Sequence, residues 1–220
     1  MNHLRLQLLD PITCEGLLEK LLHEAEWQDG SLTAGAHAKG GKRNSQINYE
    51  SPLRKEIHAL VERAMWNHPV VKGFCLPRKL HRFLISKTEQ GGGYDTHVDN
   101  AYMSSGRSDL SFTLSLTDDT TYEGGELEID SISESFPIKL KQGEIVIYPS
   151  TSLHRVCTVI SGVRTVCVGW IESYVQGEND RICMFHLESG ARAILAKHGR
   201  SDELDLIFLA YTNLLRRLGD

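Results

Sequence analysis

The sequence predicts a mainly β fold with flanking helices, built on an antiparallel sandwich or barrel of jelly-roll type and ending in a helical hairpin. Three observations lead there. Between about residues 79 and 175, short runs of alternating apolar and polar residues follow one another, with glycine turns and no helical period between them, as many antiparallel strands require. On either side the apolar period lengthens to that of a helix. At 220 residues, the chain is long enough to bury a sizeable core as one compact domain with appendages.

The first region, roughly 1–78, holds two helical patterns. Asp10-Pro11 offers a cap followed by a first-turn proline, and Leu17, Leu18, Leu21, Leu22 and Ala25 then recur on one face. Ser51-Pro52 repeats that start before Leu53, Ile57, Leu60, Val61 and Met65. Residues 30–48, rich in Gly, Ser, Asn and basic residues, read as a long loop at an entrance, with Lys39 to Arg43 as a solvated cluster.

In the middle region, 79–175, the expected strands are Leu80 to Ser86, Leu110 to Leu116, Glu126 to Ile129, Phe136 to Leu140, Glu144 to Tyr148 and Arg164 to Trp170. Gly91-Gly92-Gly93, Glu123-Gly124-Gly125 and Ser161-Gly162 supply turns between several of them. Alternation turns Leu110, Phe112, Leu114 and Leu116 to a packed side, and Ser111, Thr113 and Ser115 to a polar interior or solvent. The last region, 176–220, returns to helix. One runs from about Asn179 to Lys197; a second is capped by Ser201 and carries a stripe of Leu204, Ile207, Phe208, Tyr211, Leu214, Leu215 and Leu218. Arg216, Arg217 and Gly219 suit its C-terminal end. The two helices should pair, covering one end of the barrel or joining two copies of the chain.

Composition narrows the function classes. No apolar run approaches the roughly 20 residues that span a bilayer, and the start, cut short by Asp10 and Pro11, does not read as a signal peptide. The expectation is a cytoplasmic protein with no membrane partner. Cys14, Cys75, Cys157, Cys167 and Cys183 are odd in number and form no C-x-x-C pair, so they read as reduced thiols, not a disulfide framework or soft metal ligands. A net charge of −5 offers no broad cationic surface to a nucleic acid.

One constellation carries chemistry. In an extended segment His97 and Asp99 point to the same side and can reach one metal together. Alone, H-x-D is a weak signal; His154, at the end of the strand Glu144 to Tyr148 and its following turn, supplies a third ligand. Two histidines and one carboxylate on one face leave three metal positions open, the facial arrangement of non-haem iron(II) oxygenases. Arg164 follows ten positions later, and its fork suits the far carboxylate of a 2-oxoglutarate cosubstrate. His154 and Arg164 are expected across one hairpin, where a two-residue turn would put them on opposite faces and a three-residue loop or a bulge at Gly162 on the same face, the latter being the expected geometry.

Several residues have two readings. Tyr94 hydrogen-bonds the cosubstrate or packs at the barrel mouth. Thr113 and Ser115 touch the cosubstrate carboxylate or are satisfied interior hydroxyls, the latter being expected. Trp170 shares face parity with Arg164 but is expected in the core, and Gly124-Gly125 is expected to be a tight turn.

The order H-x-D, distal H, then R resembles the iron(II)/2-oxoglutarate dioxygenase superfamily. The runs Tyr94-x-x-His97-x-Asp99-Asn100-Ala101, Asp109-Leu110-Ser111, Tyr122-Glu123-Gly124-Gly125-Glu126-Leu127 and Tyr148-Pro149-Ser150-Thr151-Ser152-Leu153-His154 resemble its prolyl and lysyl hydroxylase branch, and together the bacterial PKHD-type hydroxylases. That resemblance covers nearly the whole chain. It implies a double-stranded β-helix, Fe(2+) on His97, Asp99 and His154, 2-oxoglutarate on Arg164, commonly L-ascorbate, and hydroxylation of a peptidyl or small-molecule substrate with O2. Where many relatives carry a tyrosine, this chain reads His81-Arg82-Phe83. Rival readings are a nucleic-acid repair dioxygenase, a cupin-like metal isomerase or lyase, and a non-catalytic iron or 2-oxoglutarate sensor. Repair relatives carry a second arginine where Trp170 stands, and Arg164 speaks against a cupin.

Overall fold

The computed structural model describes residues 3–33, 39–130 and 135–220, with the side chains of 39, 135 and 136 left aside. The chain opens with β1 (Leu4–Gln7), α1 (Pro11–Glu24) and β2 (Trp27–Asp29), makes two 3-10 turns, and continues through β3 (Lys42–Arg43) and β4 (Ser45–Ile47). Helices α2 (Pro52–Asn67) and α3 (Pro69–Cys75) lead into β5 (Pro77–Leu80), β6 (Leu84–Glu89), β7 (Gly93–His97), β8 (Tyr102–Met103) and β9 (Gly106–Arg107). Then come β10 (Leu110–Ser115), β11 (Glu123–Gly124), β12 (Leu127–Asp130), β13 (Ser135–Ile138) and β14 (Glu144–Pro149). Strands β15 (His154–Val156), β16 (Val159–Ser161) and β17 (Val163–Ser173) precede the hairpin of α4 (Glu178–His198) and α5 (Asp202–Leu218).

The strands form two main sheets that face each other, as in a jelly roll. An eight-stranded sheet runs β1-β14-β10-β17-β6-β4-β2 with β5 beside β17, and a five-stranded sheet runs β13-β12-β15-β7-β3. All named pairings are antiparallel. Register explains the two faces of the larger sheet. Ile145, Leu114, Cys167 and Ile85 stand side by side across four strands and are all fully buried. They pack under Cys14, Leu17, Leu21, Ile57, Val61 and Met65 of α1 and α2 in the main apolar core. One residue along, Thr113, Val168 and Leu84 align and turn toward the other sheet. Leu127, Ile129, Ile138, Leu140, Val146 and Tyr148 close that inner space at one end.

Helix starts follow the sequence. The Asp10 side chain accepts from the Thr13 amide at 2.9 Å and Ser201 accepts from the Leu204 amide at 3.2 Å, satisfying otherwise unpaired first-turn donors. Ser51 sits at the start of α2 but makes no such bond. No helix among the described residues is long and apolar enough to cross a membrane.

Some expectations are corrected. Leu80 to Ser86 is not one strand: β5 ends at Leu80 and β6 begins at Leu84, because His81 to Phe83 leave the ladder. There the His81 ring donates Nε2–H to the Arg107 carbonyl (2.6 Å), and Phe83 packs on His58 and Phe112. The first region is more than helix and loop, since β1, β2 and β4 join the larger sheet and β3 the smaller. The segment 30–48 thus ties both sheets together; its residues 34–38, including Gly35, lie outside the described ones. The C-terminal stripe docks only in part: Leu204 is buried, Tyr211, Leu215 and Leu218 lean on Leu76, Val175 and Met184, and Leu214 is exposed.

Candidate metal centre and its cavity

Between the two sheets lies a cavity of about 810 Å³. His97 and His154 are directly paired across β7 and β15, so their rings emerge on the same face, with centroids 4.3 Å apart. Asp99 follows two residues after His97. One ligand atom from each of the three lies within 4.8 Å of the others, and His154 Nε2 stands 3.7 Å from Asp99 Oδ2.

Local hydrogen bonds fix the chemistry of that cluster. His97 Nδ1–H donates to the Asp95 carbonyl at 2.8 Å and His154 Nδ1–H to the Ser152 carbonyl at 3.0 Å. A carbonyl only accepts, so both protons sit on Nδ1 and both Nε2 lone pairs are free. The Tyr94 ring lies against His97, tilted by 30° with centroids 3.7 Å apart. Burial, and after it the neighbouring His154, pushes His97 down to about 4, so at neutral pH it is an uncharged donor that need not lose a proton to bind a metal. Ser111 Oγ donates to Asp99 Oδ2 at 2.5 Å and lies 2.8 Å from Ser150 Oγ, which accepts from Ser108 Oγ at 2.9 Å. All three serines are buried.

Arg164 comes from the opposite sheet, buried beside Thr88 of β6, and lines the same cavity. Burial pulls its guanidinium below its ordinary range, against the support of the Tyr122 hydroxyl beside it. No carboxylate forms an ion pair with Arg164 among the described residues. The hairpin geometry expected for His154 and Arg164 is therefore corrected. His154 and Arg164 belong to different sheets, β16 between them pairs with β11, and a single residue, Gly162 at φ +77°, turns the chain from one to the other. They meet across the interior rather than along one ladder, so strand parity does not decide the matter.

Of the other sequence-predicted residues, Tyr94 and Thr113 line the cavity, with Thr113 against the buried Tyr148 hydroxyl. Ser115 instead donates to the Thr117 carbonyl at 2.9 Å. Trp170, expected in the core, lines the cavity with an Nε1–H that has no partner among the described residues. Lys42, expected in solvent, is buried and lines it too. Cys167 is in the core and the Cys157 thiol donates to Glu128 at 3.2 Å; neither joins the triad. Sequence reasoning missed Lys42, Gln46, Ser108 and Ser150. Their polar side chains sit on segments too short or too irregular to show which face is buried.

The donor set suits a hard-to-borderline divalent metal: two imidazoles and one carboxylate grouped on one side, with cavity on the other. Residues 80–172 match the model of the 2OG-Fe(II) oxygenase superfamily. A PKHD-type hydroxylase of Synechococcus sp. (strain CC9311) is 89% identical over the full length of both chains, and one of Prochlorococcus marinus (strain MIT 9313) is 54% identical, again over both full lengths. Among solved structures, a Pseudomonas putida prolyl-4-hydroxylase aligns with a TM-score of 0.56 at 15% identity, covering 78% of this chain and 92% of that one. A Trichoplax adhaerens prolyl hydroxylase, in complex with a hypoxia inducible factor peptide fragment, aligns at 0.57 and 13%, covering 77% and 83%. At those identities the structural likeness speaks for the fold.

Proposed function

Because the chain belongs to the PKHD-type hydroxylases of the 2OG-Fe(II) oxygenase superfamily, it is a 2-oxoglutarate-dependent non-haem iron dioxygenase, and we propose that His97, Asp99 and His154 hold its iron and Arg164 its cosubstrate. One observation carries these residue roles. A facial cluster of two imidazoles and a carboxylate shares a cavity with a buried arginine that has no carboxylate of its own among the described residues. Once bound there, Fe(2+) and 2-oxoglutarate supply the activation of O2 that hydroxylates a substrate C–H bond, releasing succinate and CO2.

The chain's own residues prepare that site. The two Nδ1–H bonds hold both imidazoles in the ligating tautomer. Ser111 orients the Asp99 carboxylate. Tyr94, lying against His97, braces its ring at the cavity wall. Arg164 offers a planar fork to the far carboxylate of 2-oxoglutarate, with Tyr122 at its side; Thr113, bonded to the Tyr148 hydroxyl and lining the same cavity, supports a contact with that cosubstrate. The apolar walls Leu84, Val166 and Val168 keep bulk water from the reacting centre.

Four further assignments belong to the proposal. L-ascorbate is the reductant that keeps the iron ferrous. The cytoplasm is its place, favoured by five free thiols. Two copies associate through the C-terminal helices, supported by exposed Leu206 and Leu209. The substrate is a peptidyl side chain or a small molecule.

The central assignment is tested without oxygen first. Iron-loaded protein is expected to develop a weak visible charge-transfer band with 2-oxoglutarate, and to form succinate once oxygen enters. His97→Ala should lose both with its iron, while Arg164→Ala should lose 2-oxoglutarate affinity and retain iron. Equal iron uptake by wild type and His97→Ala, or equal loss of iron and 2-oxoglutarate in Arg164→Ala, would overturn the respective role.

A further inference from the structure

The cavity holds a second cation for which the cosubstrate has no use. Lys42, at the edge of the five-stranded sheet beside Tyr94, is only 9% exposed and lines the cavity. Its Nζ donates to the Thr33 hydroxyl at 3.1 Å and lies 5.1 Å from the centre of the Tyr94 ring. Both partners are neutral, and no carboxylate forms an ion pair with it among the described residues. Asp99 attracts it from a distance, but that carboxylate is already engaged by Ser111 and by its proposed metal. Burial holds the Lys42 ammonium down at about 8, a sign that its charge lacks compensation.

Across the gap between the sheets stands Gln46 of β4, 1% exposed. Its Oε1 accepts from the same Thr33 hydroxyl at 2.7 Å, which leaves Nε2 with no partner among the described residues. One hydroxyl thus holds an ammonium from one sheet next to an unused N–H donor from the other. Asn44, two residues before Gln46, is already placed: it donates to Ser86 and packs its Oδ1 against Gly30. A buried donor without a partner is costly; a cation and a donor so grouped describe the negative image of an anion.

We propose that Lys42 and Gln46 form a second anion subsite, which binds a carboxylate of the substrate. The inference rests on the reading of the metal and Arg164 above. The two carboxylates of 2-oxoglutarate are accounted for there, by the metal and by Arg164. A third anion at Lys42 must therefore come from another molecule. A carboxylate matches the pair: one oxygen takes the charged N–H of Lys42 and the other the amide N–H of Gln46. Two sources share this chemistry, a free amino acid and the C-terminal end of a peptide.

The test uses the full-length protein loaded with Mn(II) and N-oxalylglycine, so that the metal and Arg164 are both occupied. Propionate and propionamide are then titrated, and their methyl protons report distance from Mn(II) by relaxation. Propionate is expected to show saturable relaxation and propionamide to bind at least about tenfold more weakly, the value of one charged hydrogen bond. Lys42→Met should lose the propionate effect by a similar factor, Lys42→Arg should retain it, and N-oxalylglycine should bind all three proteins alike. Should Lys42→Met not fold, Gln46→Glu places a like charge in the subsite and must lose propionate as well. Equal relaxation of acid and amide, or undiminished propionate binding in Lys42→Met, overturns the proposal. A parallel loss of N-oxalylglycine does so too, by assigning Lys42 to the cosubstrate. Failure of the wild type to take up Mn(II) and N-oxalylglycine would instead strike the metal and Arg164 assignments, and this inference with them. Competition by L-alanine alone points to free amino acids and by N-acetyl-L-alanine alone to peptide ends; competition by neither ends the proposal.

Discussion

Asp99 is held in place by hydroxyls, not by a cation. Ser111 donates to it directly, and Ser150 and Ser108 extend the chain into the protein, each within 2.9 Å of the next. In its proposed role as an iron ligand, a carboxylate so tethered would meet the metal in one orientation, without the strong competing charge that an arginine would bring. Removing the last hydroxyl leaves the ligand present but loose. Ser111→Ala is accordingly expected to lower iron(II) affinity about 10–100-fold, the usual cost of losing a group that orients a metal ligand. Melting temperature should hardly move, since Ser150 can still bond to Ser108. Anaerobic iron titration against a competing chelator measures the first and calorimetry the second. An affinity within about twofold of wild type would show that Asp99 needs no such tether.

At the scale of elements, the turn at Gly124-Gly125 has a use beyond reversing the chain. Both glycines adopt positive φ, +73° and +69°. A Cβ added at Gly125 would stand 3.0 Å from Arg164 Cδ and equally near Val159, so the turn also makes room for the stem of the buried arginine. Gly125→Ala should therefore cost about 1–2 kcal/mol in stability from the left-handed backbone, a drop of a few degrees in melting temperature. It should weaken 2-oxoglutarate binding while leaving iron uptake intact. Unchanged 2-oxoglutarate affinity in a destabilised variant would reduce this position to a plain turn. The sequence announces the turn but not the neighbour, because Arg164 is distant in the chain. The same reasoning separates what was legible from what was not. Long strands such as β10, β14 and β17 show enough alternation to be read, and α1, α2 and α5 enough helical period, with side-chain caps at the starts of α1 and α5. The pieces β1 to β4 have two to four residues each and too few alternations to register. Their pairing is set by contacts with remote strands, which is why Lys42 and Gln46 looked like loop. His97, Asp99, His154 and Arg164 were readable as a set because their order is characteristic; that two of them face each other from different sheets was not, since adjacency in sequence suggested a hairpin.

For the whole molecule, the C-terminal hairpin raises the question of what covers it. One side of α5 docks: Leu204 is buried, and Tyr211, Leu215 and Leu218 lean on Leu76, Val175 and Met184. The chain end is fastened as well, through the pair of Asp220 with Arg107 at 2.6 Å and a bridge between Val175 and Gly219. The other side is left apolar, with Leu206 65% and Leu209 55% exposed, and Ile194 and Leu195 open on α4. Leu206 and Leu209 lie three apart, on one face, and the proposed association of two copies would bury them there. A second copy can present the same hairpin in return, as a twofold pairing requires. Sedimentation at tens of micromolar is expected to show a dimer, and the double variant Leu206→Glu and Leu209→Glu a monomer. Because neither leucine supports the fold, that monomer should melt within a few degrees of wild type and bind iron equally well. A wild type that sediments as a monomer, or a double variant that remains dimeric, would remove this face from the interface; a variant that unfolds would show instead that the exposed leucines serve the packing of the hairpin itself.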